Sequence, residues 1–226
     1  MKIGKIVRWI IIGIVVILVI AVGVTAAVLF IFPESITGPT APPLQLPALD
    51  TAATNASTSP PDGTWIAGSG SLAGFRVEES FLVQTGTIVG RTSAVTGSLV
   101  ISNNAVASGS FQVDLSQLTV GGKENASFFK ILDTDKYPKA TLTFTDPIVI
   151  TSIPNSGQTV SSNGTGSLAM HGITHPVTFT FSARYDGIVL EAVGTAPVLA
   201  SDWKIESPFG IHDNDVIEFL VVLQKQ

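Results

Sequence analysis

Cysteine is absent from all 226 residues. Disulfides and thiolate-built zinc sites are excluded together, so the fold must hold by packing alone. Charge is sparse at 13% of residues, and basic charge is sparser still. Three of the twelve Lys and Arg are Lys2, Lys5 and Arg8, which leaves nine against seventeen acidic residues in the rest of the chain. A formal charge of −8 on that part argues against binding a phosphate backbone, which needs clustered cations. Nucleotide and hydrolase signatures are missing as well. There is no Gly-Lys-Ser or Gly-Lys-Thr for a P-loop, and no serine with glycine at both −2 and +2 for a nucleophile elbow.

Histidine is scarce, with only His171, His175 and His212. An H-x-x-x-H pair suits zinc on a helix, but Gly172 and Pro176 place this one in strand-like text. Strand positions four apart stand about 13 Å apart, too far to share an ion. The carboxylate pairs Asp133/Asp135 and Asp213/Asp215 sit among turn residues and read as solvated loop charges. Two stretches, Gly68 to Ala73 and Gly164 to Ala169, fit a loose G-x-G-x-x-A pattern. A dinucleotide site needs a helix after that turn, and both are followed by β-like text, so they read as strand entries. No cofactor, metal or catalytic residue is expected.

What the chain does have begins with an uncharged run of 24 residues, Trp9 to Phe32, behind those three basic residues. As a helix it spans about 36 Å, enough to cross a bilayer with some tilt. The positive-inside rule keeps the N-terminus cytoplasmic and sends the rest of the chain out. A cleaved signal peptide is the competing reading, with Val24-Thr25-Ala26 as its cut. Signal cores run about 7–15 apolar residues, and this run continues past the cut, which favours a single-pass anchor over residues 1–32. Either way the working domain is expected outside the cytoplasm, in a periplasmic or extracellular setting. Residues 33–63 then carry seven prolines among Thr, Ala and Ser with no apolar period. That composition predicts a solvated stalk, between a coil of about 30 Å and a polyproline ceiling near 90 Å.

From Thr64 to Gln226 the text turns to short period-two runs. Phe111, Val113 and Leu115 alternate with polar residues, as do Leu142 and Phe144. Val177, Phe179, Phe181 and Ala183 do the same, and so do Ile217, Phe219, Val221 and Leu223. Half-buried antiparallel strands follow from that pattern, with turns at Asn103-Asn104, Asp186-Gly187 and Asp213-Asn214. One segment differs. Near 123–133 the spacing predicts a short helix, stopped by Pro138. An all-β domain with one helical crossover points to a closed barrel. Its inward stripe of Phe75, Phe111, Val113, Phe144, Phe179, Phe181, Ile217 and Phe219 fits a dry core or a tunnel for a thin hydrocarbon.

Four blocks, taken in order, resemble the YceI-like family of lipocalin-like polyisoprenoid-binding proteins. Gly63-Thr-Trp65 with Ser71 to Val77 is similar to its first strand pair, and Gly90-Arg91-Thr92 through Leu99 to its second hairpin. Lys123-Glu124, Leu132-Asp133, Tyr137-Pro138 and Phe144 follow the family's R-D, F/L-D, Y-P and F signature. The run from Leu168 through His171-Gly172, Thr174 and Pro176-Val177 matches L-x-x-H-G-x-T-x-P-V. The family's Arg-Asp pair is Lys123-Glu124 here, and lysine does not reproduce a bidentate guanidinium contact.

The resemblance implies an elongated eight-stranded antiparallel lipocalin-like barrel over residues 64–226 and a bacterial source. It also implies an isoprenoid or other long apolar lipid, quinone-like or polyprenyl, in a tunnel lined by the inward stripe. Phe128, Phe129 and Leu132 would line or lid the opening, and Lys123, Lys130 and His171 are candidates for a head group. A second reading is a fully packed barrel, a surface interaction or stress-response module working through loops at 152–164 and 204–215. Cavity volume separates the two: a tunnel of several hundred Å³ favours the first. A hydrolase built on His171 or His212 has no accompanying nucleophile.

Overall fold

The computed structural model describes residues 41–48, 62–81, 84–103, 105–149, 159–206 and 215–226, all within the unit Thr40–Gln226. The expected membrane run, residues 9–32, lies outside the described residues, as do His212 and the turn at Asp213-Asn214. Among the described residues, no helix is long and apolar enough to cross a membrane.

Among the described residues, twelve strands form one antiparallel sheet: β1 (Gly63–Ala67), β2 (Leu72–Phe81), β3 (Gln84–Thr92), β4 (Val95–Ser102), β5 (Ala105–Asp114), β6 (Thr119–Val120), β7 (Lys139–Phe144), β8 (Ile148–Val149), β9 (Thr159–Met170), β10 (Ile173–Tyr185), β11 (Val189–Val198) and β12 (Asp215–Lys225). Several are halves of one interrupted strand. β12 pairs with β2 from Val216↔Arg76 to Leu220↔Leu72, and then with β1 from Leu223↔Ala67. The two registers have the same sense and differ by two residues, the bulge Gly68–Ser71. Ser71, 1% exposed, patches the gap: its hydroxyl accepts from Val222 N at 3.0 Å and faces the Val222 carbonyl at 3.4 Å. β3 with β4, and β5 with β6, are broken in the same way, at Ser93–Ala94 and around Leu115–Gln117. β7 and β8 both pair with β5. Merged, the ring closes as eight antiparallel strands, a size whose interior is just filled by side chains or holds one small ligand.

The expected helix is there, shorter than predicted, as α1 (Ala126–Ile131). Asn125 caps it, its side-chain oxygen accepting from Ser127 N and Phe128 N. It ends in a Schellman arrangement. Thr134 N donates to Phe129 O at 3.0 Å and Asp133 N to Lys130 O at 3.2 Å, around Asp133 at φ 46°. Two further sequence readings need correction. Residues 159–164, expected in a loop, belong to β9. Asp215, expected as a solvated loop charge, opens β12 opposite Val198 and is buried.

Residues 41–48, expected within a solvated stalk, instead lie along the outer face of the barrel. Arg76 Nη2 donates to Ala41 O at 2.9 Å, Arg91 to Pro42 O, and Arg184 to Pro47 O. A carboxylate aims each guanidinium. Arg91 Nε bonds Glu218 Oε1 at 2.7 Å, Arg76 stands 3.6 Å from Glu218 Oε2, and Arg184 Nε bonds Glu191 at 2.7 Å. Glu218 and Arg91 flank Gly74 across two strand pairings. A side chain there would come 1.9 Å from Gly90 O, so glycine is what lets β2 approach β3 this closely. Proline-rich text has few N–H groups to offer, and its carbonyls are the natural handle for a row of arginine donors.

Candidate functional site

Alternation along the strands turns one face of each inward, and those faces enclose a cavity of about 170 Å³. Every described side chain on its wall is apolar. The expected stripe lies there in full: Phe75, Phe111, Val113, Phe144, Phe179, Phe181, Ile217 and Phe219. Phe179 is the hub, with ring centroids at 5.3 Å to Phe144 and 6.1 Å to both Phe181 and Phe219. Sequence reasoning missed the aliphatic remainder, such as Leu99, Val106 and Ile148. These carry little signal, because any core position in a strand takes the same residues.

The two ends of the cavity differ. At the β10–β11 turn Trp65 is fully buried and meets Tyr185 edge-on at 5.5 Å, with Leu223 beside them in the same core. None of the three lines the cavity, so they pack beyond its lining at this end. Tyr185 donates its hydroxyl to Gly187 O at 2.7 Å, and burial, followed by the charge of Asp186, raises its pKa. At the other end of β10 the wall is built by Leu115 and Leu118 of a 3₁₀ turn, Met170 of β9 and Leu132 just after α1. That end, walled by a 3₁₀ turn and the segment after α1 as well as by strands, is termed the mouth.

The predicted lid residues divide. Leu132 lines the cavity directly. Phe128 does not; it stacks on Phe75 (5.3 Å, 29°) and supports a wall ring from behind. Phe129 packs with Leu115, Leu118 and Ala140 beneath the mouth. The head-group candidates are not brought to the cavity. Lys123 sits in a backbone bridge to Val120 with its side chain exposed, and Lys130 is exposed on the far side of α1.

His171 serves the rim. With Gly172 it forms the two-residue β9–β10 turn, at φ 51° and 75°. Its Nδ1–H donates to Trp203 O at 2.8 Å, since a carbonyl only accepts, and its ring meets Tyr137 at 4.8 Å. Trp203 in turn donates Nε1–H to Leu168 O at 3.2 Å and meets His175 edge-on. The H-G turn therefore holds the 3₁₀ segment Ala200–Trp203, with Tyr137 packed on its histidine. The two histidines have different partners, and among the described residues no group of His, Asp and Glu is placed to hold a metal ion.

A polyisoprenoid binding domain from Saccharophagus degradans implicated in plant cell wall breakdown is similar in structure, with a TM-score of 0.58 at 15% identity, over 73% of this chain and 99% of that one. Burkholderia cenocepacia BcnA is also similar, with a TM-score of 0.52 at 16% identity, over 67% and 95%. At such identities the likeness is one of fold. No curated protein matches the chain. The model of the YceI-like domain matches residues 49–223, most of the chain and nearly all of the barrel, and the chain therefore belongs to the YceI-like domain family.

Proposed function

We propose that this domain binds an isoprenoid or other long apolar lipid, taken in past α1 with its tail in the barrel, and that it performs no catalysis. The observation that carries this reading is the wholly apolar wall of the cavity. The binding named for the Saccharophagus degradans domain supports the same class of ligand. A cavity of about 170 Å³ is close to the engineered 150 Å³ one that takes benzene. In this state it holds roughly one five-carbon unit, worth about 4 kcal/mol at ~0.8 kcal/mol per buried carbon. A longer tail must displace wall rings or the mouth, and Leu132 with the Phe75–Phe128 stack is where that displacement costs least backbone. The proposal includes an extracytoplasmic setting, with residues 9–32 as a membrane tether.

The test is native mass spectrometry of the detergent-free barrel domain, followed by titration with a long-chain benzoquinone. A retained or acquired apolar ligand in one-to-one ratio supports the proposal. Repeated absence of both rejects it. One observation favours a second reading: the cavity is smaller than the several hundred Å³ of a typical ligand pocket. On that reading the barrel is a packed scaffold and its partners meet the outside.

A further inference from the structure

We infer that three glycines, Gly90, Gly109 and Gly164, set the bore of the cavity and so limit the guest it admits. The inference rests on the lipid-binding proposal for its biological meaning, though not for its physics. An eight-stranded barrel has an interior that side chains alone can fill, and this one receives six phenylalanines. A hollow survives because rings are recessed into the wall. Phe75 lies opposite Gly90 and Phe179 opposite Gly164 in register, while Phe144 leans over Gly109.

The geometry is sharp. A Cβ built on Gly164 would lie 2.3 Å from Phe179 Cζ. On Gly90 it would lie 2.5 Å from Phe75 Cε1, and on Gly109 2.7 Å from Phe144 Cδ2. The rings thus occupy the space that any other residue's Cβ would fill. None of the three glycines has a positive φ, so the backbone does not demand glycine there. In each case the three nearest atoms belong to side chains that line the cavity. That separates them from Gly194, whose Cβ would strike the carbonyl of Thr180 at 2.3 Å and which the strand pairing itself requires. Rings covering glycines are also a means of stabilising sheets. Here the same contact has a second effect, because an added methyl must push the ring by up to about 1 Å, most at Gly164, to regain ordinary contact.

The experiment measures bore and ligand separately. Xenon binding by ¹²⁹Xe NMR reads the hollow, and titration with a benzoquinone carrying a ten-carbon tail reads the lipid. Gly164→Ala is expected to weaken both by at least tenfold, the effect of about one methylene in an apolar pocket. Phe179→Leu in the same chain is expected to restore xenon affinity to within about threefold of wild type, since ring and methyl compete for one space. Unchanged xenon binding in Gly164→Ala, or a double variant no better than the single one, overturns the inference. If Gly164→Ala fails to fold, the pair Gly109→Ala and Phe144→Leu is read in the same way. Xenon results as expected beside a quinone that never binds wild type keep the bore assignment and reject the lipid proposal.

Discussion

Asp114 shows how one side chain prepares the mouth. It ends β5 and caps the 3₁₀ turn Leu115–Gln117, its carboxylate accepting from Ser116 N at 3.0 Å and Ser116 Oγ at 2.6 Å. That turn delivers Leu115 and Leu118 to the cavity wall. The Ser116 hydrogen bonds hold the Asp114 pKa below the ordinary carboxylate value, with Lys139 adding a smaller pull. Folding therefore favours the ionised form. Its contribution is present in full above about pH 4 and is lost as pH falls through the lowered pKa. Asp114→Asn is expected to flatten the acid limb of the stability curve below pH 4, and Asp114→Ala to cost about 1 kcal/mol at neutral pH by urea denaturation. An unchanged acid limb in the asparagine variant would remove the cap from the account. At this scale the inward phenylalanines were legible, because period-two text leaves them one face to occupy. Their glycine partners were not, because register decides which glycine meets which ring. Lys123 and Lys130 are exposed and His171 bonds Trp203, which depends on a turn's hand and a helix's rotation.

At the level of elements, Asp133 is the hinge between α1 and the loop that carries Tyr137 and Pro138. It occupies the left-handed position that glycine usually fills at a helix end, and Asp is among the few side chains that tolerate it. Its carbonyl then accepts from Lys136 N at 3.0 Å and Tyr137 N at 2.8 Å, which brings Tyr137 under His171. Asp133→Gly is expected to be neutral or stabilising by up to about 1 kcal/mol. Asp133→Ile is expected to destabilise by about 1–2 kcal/mol and to loosen the mouth, read as faster amide exchange at Leu132 and Tyr137. Equal melting temperatures for the two variants would refute the assignment. The helix and four strands, β5, β7, β10 and β12, were readable from periodicity and stop signals. The bulge at Gly68–Ser71 was not, since only pairing with β12 shows that β1 and β2 are one strand.

For the molecule as a whole, the least legible feature was the fixing of residues 41–48. Proline-rich text without an apolar period predicts solvation, and that prediction considers side chains. The contacts here use backbone carbonyls, and their donors lie 35 to 137 residues away. Arg184 is the informative position. Arg184→Lys keeps a cation beside Glu191 but loses the fork that also reaches Pro47. The expected outcome is a loss of about 1.5–3 kcal/mol in stability, the range for a hydrogen bond to a charged group, with faster proteolysis within residues 41–48. Proteolysis at the wild-type rate would show that this guanidinium does not hold the segment.

The same fixing bears on the proposed tether. On the proposed tether at residue 32, the chain between it and the first bound carbonyl, that of Ala41, is residues 33–40 rather than 33–62. Covalent geometry limits eight residues to about 28 Å even when fully drawn out. β10 alone, at thirteen residues, extends about 40 Å. Tilted by about 40° as barrel strands are, it rises roughly 30 Å, so on the tethering proposed above the cord and the cylinder are of similar length, and a lipid would have to be handed over within about one barrel height of its source.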